Sequence, residues 1–407
     1  MAIPVLYISY DGMTDSLGQS QVIPYLIGLS KKGYVFTLMS CEKEENFTQH
    51  KNKIQSILDA NNIIWKPIAY TKKPPVLSTV YDEYRLKKLA FQLHKETNFS
   101  IVHCRSYIAA LVGLQLKQKY GVKFVFDMRG LWADERVDGK LWNLNNPVFK
   151  TVYNYFKKKE KQFLEHADYT ISLTFNAKNE IHSWKKITNN PINIQVIPCC
   201  ADIDLFDKKK IEEDKLSAFK HELNINKDDF ILLYLGSIGT WYMLDEMMEF
   251  FSVLNQKNKN AKFLFVTKDE HQRILKTAEK YDVHNSIIIR GGNRDEIPYL
   301  IALSHYSLFF ILPSYSKKAS SPTKQGEIMA MGIPIICNTN VGDTDKIVTD
   351  YNSGILVNEF KVASYQNAIN KMETTFNEQQ IIAGAKDYFS LESGVEKYAA
   401  VYNAILS

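Results

Sequence analysis

The chain has 407 residues, 45% of them hydrophobic and 23% charged, with a formal net charge of +5. That length exceeds one ordinary core and favours two domains of about 200 residues, while the composition excludes a disordered chain. The charge excess is too small to argue for nucleic acid as a partner. Cys41, Cys104, Cys199, Cys200 and Cys337 show no CxxC spacing, so neither a disulfide framework nor a zinc site is indicated, and buried thiols are expected. No run of about 18 apolar residues is present, and MAIPVLYISYDG opens directly on a strand without the pattern of a secretory leader. A soluble, cytoplasmic chain is the expectation.

Short β-branched or aromatic runs alternate with helix-period segments. The first half predicts strands at Pro4–Ser9, Val35–Ser40, Ile63–Ile68, Ile101–Arg105, Lys123–Phe126, Tyr169–Leu173 and Ile194–Ile197. Helices are predicted between most of them, among them Gln19–Lys32, Tyr81–Glu96 and Pro147–His166. The pattern restarts with strands at Phe230–Gly236, Ala261–Thr267, Ser286–Arg290, Tyr306–Leu312, Ile333–Asn338 and Gly354–Val357. Between the halves, CCADIDLFDKKKIEEDK loses apolar periodicity, which places a boundary near residues 199–205. The reading is an α/β protein of two Rossmann-like domains, 1–198 and 199–389, facing across a cleft at the carboxyl ends of their sheets. Residues 390–407 form a last helix, with Val395, Tyr398, Tyr402 and Ile405 at helical spacing, that could return to the first domain.

The stretch SSPTKQGEIMAMGIP, residues 320–334, concentrates the chemistry. Ser321 suits a helix N-cap and Pro322 the first helical position, where a missing N–H costs nothing. Free N–H groups, the positive dipole end, Thr323 and Lys324 together would hold an anion, a phosphate or diphosphate above all. Glu327 shares a face with Thr323 and Lys324 one turn on, where a carboxylate can accept hydrogen bonds from the diol of a ribose. The other reading of Glu327 is a solvated surface charge, which the apolar run behind it disfavours.

The run SSPTKQGEIMAMGIPIICN resembles the nucleotide-sugar motif of retaining glycosyltransferases of family 4, which share the two-Rossmann GT-B fold. Members usually carry two glutamates eight positions apart. Glu327 matches the second, whereas the first falls on Ala319, and the chain is similar to a branch with Ser-Pro-Thr-Lys in this place. The segment YISYDGMTDSLGQS resembles the family's first strand, glycine loop and helix, with Gly18 and Gln19 at the donor edge. Asp127, in VKFVFDMRGLWADERV, stands where members often have a histidine near the transferring sugar. With Arg129 it is a candidate for handling the acceptor hydroxyl or a donor-sugar hydroxyl, against a plain strand-end salt bridge to Arg129 or between Asp134 and Arg136. His103 reads as a core histidine and Arg105 as a strand-end candidate. Many members have an arginine and a lysine on the diphosphate where this chain has Ser237 and Tyr242, which leaves Lys324, helped by Arg290 or Arg294. Trp241 and Tyr242 could stack on a base or sugar, or pack in the core.

What the resemblance implies is a retaining hexosyl transfer from a UDP- or GDP-sugar to a glycan or lipid-linked acceptor, in polysaccharide or glycoconjugate synthesis, with no cofactor or metal. The pair Asp202 and Asp204 lies at the domain junction and is read as structural, and Asp343 and Asp345 suit helix capping. Basic and apolar residues in Lys72–Lys88 and Lys150–His166 suit either an ordinary solvated face or peripheral contact with an anionic membrane. A GT-B-fold nucleotide-sugar epimerase and a non-catalytic sugar-binding homologue remain as alternatives.

Overall fold

A computed structural model describes residues 2–407, which divide into two units. One is the chain up to Pro198 together with Leu391–Ser407, and the other is Cys199–Ser390. No described helix is long and apolar enough to cross a membrane.

The first unit is built on a seven-stranded sheet: β1 (Ile3–Ser9), β2 (Tyr34–Glu42), β3 (Ile64–Ala69), β4 (Ile101–Arg105), β5 (Lys123–Asp127), β6 (Tyr169–Ser172) and β7 (Ile194–Val196). The order is β3-β2-β1-β4-β5-β6-β7, parallel throughout. Helices on both faces explain why β4 and most of β1 and β2 are buried continuously rather than on alternate residues. The chain order reverses between β1 and β4, and the carboxyl ends of those strands flank the place where such sheets receive ligands.

The second unit repeats the plan with β8 (Phe230–Leu235), β9 (Ala261–Val266), β10 (Ile287–Arg290), β11 (Tyr306–Phe309), β12 (Ile335–Asn338) and β13 (Gly354–Val357). Its order is β10-β9-β8-β11-β12-β13, again all parallel, with the reversal between β8 and β11. Phe250, Phe251, Phe263 and Phe310 fill its core. Both sheets are Rossmann-like, and together they make the α/β architecture expected from the alternation of strands and helices.

One local departure has a clear cause. The predicted helix Gln19–Lys32 is two helices, Ser16–Gln21 and Ile23–Ser30, interrupted at Val22 with φ −128° and ψ −63°. Pro24 cannot sit inside a continuous helix, because it lacks an N–H and its ring crowds the preceding turn; it fits the first turn of a new one. At the other end of the chain, helix Leu391–Leu406 buries Val395, Tyr398, Tyr402 and Ile405 within the first unit and packs on Ile23–Ser30. All five cysteines are buried free thiols. Asp202 accepts from the Leu205 N–H in a turn, and Asp343 accepts from the Tyr388 hydroxyl.

Candidate functional site

In the first unit, the parallel register sets Tyr7 beside His103 and Arg105 beside Asp127. His103 and Arg105 are two apart on β4, so all four side chains lie on one face of the sheet. Asp127 is fully buried and accepts a 3.0 Å hydrogen bond from Tyr398, while Tyr402 stands 2.6 Å from His103 Nδ1. Both tyrosines come from the last helix, one turn apart. His103 Nε2 faces Asp127 at 3.5 Å and Arg129 Nη1 stands 3.8 Å from the other carboxylate oxygen. Burial pushes the Asp127 carboxyl up, but Arg129, His103 and Arg105 outweigh it and leave the group below its ordinary value. Burial holds His103 neutral, against the pull of Asp127. The carboxylate then favours the tautomer with its proton on Nε2, so Nδ1 accepts from Tyr402.

The expectation of a polar cluster at the end of β5 therefore meets a more elaborate arrangement. Asp127 serves as the anchor of the last helix as well as a strand-end charge. Arg105 is buried, with Nε 3.3 Å from Asp11 and Nη1 without a hydrogen-bond partner. Ser106 and Arg129, just beyond β4 and β5, have φ of 67° and 56°, a region costly for residues with a Cβ and one that recurs at functional edges. Asp134 does not pair with Arg136. It takes Lys157 at 2.7 Å and Tyr153 at 2.8 Å, while the Arg136 guanidinium lies over Trp132.

The loop after β1 is ordered by a residue that sequence reasoning passed over. Glu42, buried at the end of β2, accepts from the Met13 and Thr14 N–H groups and from the Thr14 and Ser40 hydroxyls. Gly18 is required by the loop itself: a Cβ there would lie 2.2 Å from the Gly12 carbonyl oxygen, so the missing side chain lets the chain pack on itself. Gln19 donates to the Thr14 carbonyl and closes the same loop.

In the second unit, Lys324 lies in the first turn of helix Thr323–Ala330, which follows β11. The N-cap position is held by Pro322, and Ser321 instead accepts from the Cys199 N–H at 3.1 Å. The shift by one residue leaves the first N–H groups of the helix without a side-chain cap. Lys324 Nζ is buried without a hydrogen-bond partner, 3.8 Å from the ring centre of Tyr242 and 4.2 Å from that of Tyr234. Burial lowers its pKa to about 7, against the opposing influence of Glu327 and Asp269. Gly236, the residue after β8, has φ +104° and presents its bare α-carbon to the ammonium, where an added Cβ would sit 3.3 Å from Nζ. Tyr242 is a half-buried ring packed against the core of this unit, and its face is the floor beneath the lysine.

Glu327 is buried and is not a solvated surface charge. Arg294 reaches it at 2.5 Å, and burial raises the carboxyl against that arginine and Lys324. Arg290, expected to help at the diphosphate, is instead tied to Glu222 at 2.9 Å and Glu296 at 2.8 Å, and lies over Phe219. Ser237, in the place where an arginine was looked for, donates to Asp269, which also accepts from the Ile238 N–H. The second unit therefore assembles Lys324, Thr323, Glu327, Arg294 and the Gly236 turn around the reversal between β8 and β11. The roles of Gly236 and Tyr234 were hidden because glycines and tyrosines at strand ends are common; only the spacing of β8 from the lysine helix could have hinted at them.

The model of the glycosyl transferases group 1 family matches residues 217–386, and that of Glycosyltransferase Family 4 matches residues 26–205. No curated protein matches the chain. Among solved structures, a glycosyltransferase from Rickettsia africae is similar at a TM-score of 0.74 and 18% identity, over 100% of this chain and 99% of that one. Sucrose-phosphate synthase from Thermosynechococcus elongatus reaches 0.75 at 15% identity, over 99% of each chain. HepE from Anabaena, in complex with UDP and glucose, reaches 0.70 at 12% identity, over 99% of this chain and 100% of its own. Two Rossmann-like units, each matched by a glycosyltransferase model, make this chain a glycosyltransferase of the GT-B fold.

Proposed function

We propose that the chain is a retaining transferase that moves a hexosyl group from a UDP- or GDP-sugar, held by the second unit, to a hydroxyl of a glycan or lipid-linked acceptor held by the first. The observation that carries the reading is Lys324: a buried ammonium with no carboxylate contact, at an uncapped helix start beside a glycine turn. A bare cation in that position is unfavourable unless an anion completes it, and a diphosphate supplies the charge. The neighbour HepE, described with UDP and glucose, supports a nucleotide-sugar donor.

In this reading, the bond from the anomeric carbon to the diphosphate breaks and its electron pair goes to the phosphate oxygen. Lys324 and the helix N–H groups stabilise the charge that grows there, the contribution that commonly dominates such catalysis. The acceptor oxygen bonds the same face of the anomeric carbon, and its proton passes to the departing phosphate. No step needs a metal or an enzymic nucleophile. Glu327, steadied by Arg294, accepts from the ribose diol and sets the register of the donor, while Asp127 and Arg129 order the acceptor side. Gly18 and Gln19 shape the loop at the donor edge.

A thermal-shift screen over nucleotide sugars, followed by a transfer assay with product analysis, tests this. Stabilisation by one nucleotide class and net transfer are expected, and Lys324→Ala and Glu327→Ala should each lower turnover by at least about tenfold. Wild-type rates in both variants would overturn the site, and epimer formation without an acceptor would favour the epimerase alternative.

A further inference from the structure

Helix Leu77–Thr97 packs on the first unit through Ser78, Asp82, Leu86, Ala90 and Leu93. Directly opposite that face stand Leu77, Val80, Tyr81 and Tyr84, at 67%, 58%, 54% and 59% exposure. The spacing i, i+3, i+4, i+7 lines them up as one apolar stripe, and exposed Lys88 falls on the same line. Exposed Lys72 and Lys73 lead into the helix. A soluble surface scatters its apolar side chains singly; four in register on the outward face of one helix, framed by lysines, need another explanation.

The orientation of the stripe is set from within. Buried Asp82 accepts from the Tyr10 hydroxyl at 3.1 Å and from the Thr71 N–H and hydroxyl at 3.0 and 2.7 Å, so the helix cannot roll its apolar residues inward without losing these bonds. Tyr10 follows β1 and Thr71 follows β3, which puts the stripe at the carboxyl edge of the sheet, the edge that also carries Arg105 and Asp127. The other basic segment is less available. Lys157 of helix Pro147–His166 turns inward to Asp134 and to Glu160, at 2.7 and 2.5 Å.

We propose that the outward face of Leu77–Thr97 docks the chain on an anionic lipid bilayer, with Leu77, Val80, Tyr81 and Tyr84 seated among the headgroups and Lys72, Lys73 and Lys88 against their negative charge. Apolar residues and lysines on one helix face are the combination that such a surface selects, since each alone binds weakly. A bilayer there would present acceptor lipids to the catalytic edge of the first unit. The inference rests on this surface alone and holds whether or not the donor reading does.

Co-sedimentation of the full chain with phosphatidylglycerol-containing vesicles at low salt tests it, with donor thermal shift measured in parallel. Binding is expected to anionic vesicles and to fall at least about tenfold on pure phosphatidylcholine. The combined Leu77→Ser, Val80→Ser, Tyr81→Ser, Tyr84→Ser variant should lose vesicle binding at least about tenfold with its donor shift intact. Should that variant misfold, Lys72→Glu with Lys73→Glu gives the same test through charge. No binding by the wild type, or unchanged binding in these variants, overturns the proposal. So does a concentration-dependent dimer, seen by sedimentation velocity, that the serine variant dissolves, because the stripe would then be covered by a second copy.

Discussion

An ammonium buried without a carboxylate partner costs folding free energy whenever it is charged, and Lys324 makes that cost depend on pH. Its pKa falls from 10.5 to about 7. At about 1.4 kcal/mol per pH unit, the charged form opposes folding by on the order of 5 kcal/mol. Between about pH 7 and 10.5 the unfolded chain keeps a proton that the native chain has lost, so stability rises with pH across that window. Lys324→Met should therefore stabilise the unliganded protein most below pH 7, with the gain shrinking as pH rises, in urea titrations at several pH values. The same substitution should abolish transfer. A diphosphate binding beside Lys324 reverses the desolvation and draws a proton. Calorimetry in buffers of different ionisation enthalpy should show proton uptake near neutral pH or just above it, and affinity should decline as pH rises through 7. Gly236→Val places a branched side chain at φ +104° and against Nζ, so it should cost about 1–3 kcal/mol in stability and weaken donor binding together. The type and spacing of Thr323, Lys324 and Glu327 were legible because a helix start concentrates positive charge by its own geometry. The partner of Glu327 was not legible: Arg290 ends β10 and Arg294 lies four residues on in the loop that follows, and only folding decides which reaches the helix and which is neutralised by Glu222 and Glu296.

Helices carry the site's parts into register, and their contacts are tight enough to test. Gly326 sits where helix Thr323–Ala330 meets Glu378–Phe389, and an added Cβ would lie 2.8 Å from the Phe389 ring. Overfilling such a contact typically costs about 1–3 kcal/mol. Gly326→Ala should lower the denaturation midpoint by that order and tilt the lysine helix, so donor affinity should fall even though no ligand contact is touched. In the first unit, the last helix is tied by hydroxyls as well as by apolar packing. Tyr398→Phe leaves Asp127 without one of its donors while keeping the ring in place, and about 1–3 kcal/mol is expected from an acceptor left unsatisfied in the interior. Periodicity identified that helix and its inward residues. It did not distinguish tyrosines that fill space from tyrosines that hold Asp127 and His103, since the same helical spacing serves both. Glu42 was hidden for a related reason: a carboxylate at the end of an apolar strand looks like a solvent-facing terminus until a loop from another strand brings it its donors.

At the level of the whole chain, the last helix belongs to the first unit although it follows the second in sequence. A chain ending at Ser390 should expose Asp127 and His103 to water and lose protection against amide hydrogen exchange in β1, β4 and β5, with β8 to β13 changed little. Uniform loss over both sheets would contradict that division. Strand and helix alternation, the absence of a metal-type cysteine pattern, and the lysine-bearing helix start follow from local chemistry: periodicity reports which faces are buried, and proline and glycine report where the backbone must turn. Those signals act over a few residues, so the amino-acid order alone was enough for the two Rossmann-like sheets and for the candidate diphosphate residues. Pairings across long separations needed the folded chain. Asp127 with Tyr398, Met13 with Glu42 and Lys324 with Gly236 depend on strand order and sheet register, which bring distant segments within hydrogen-bond reach and which no short window of sequence encodes.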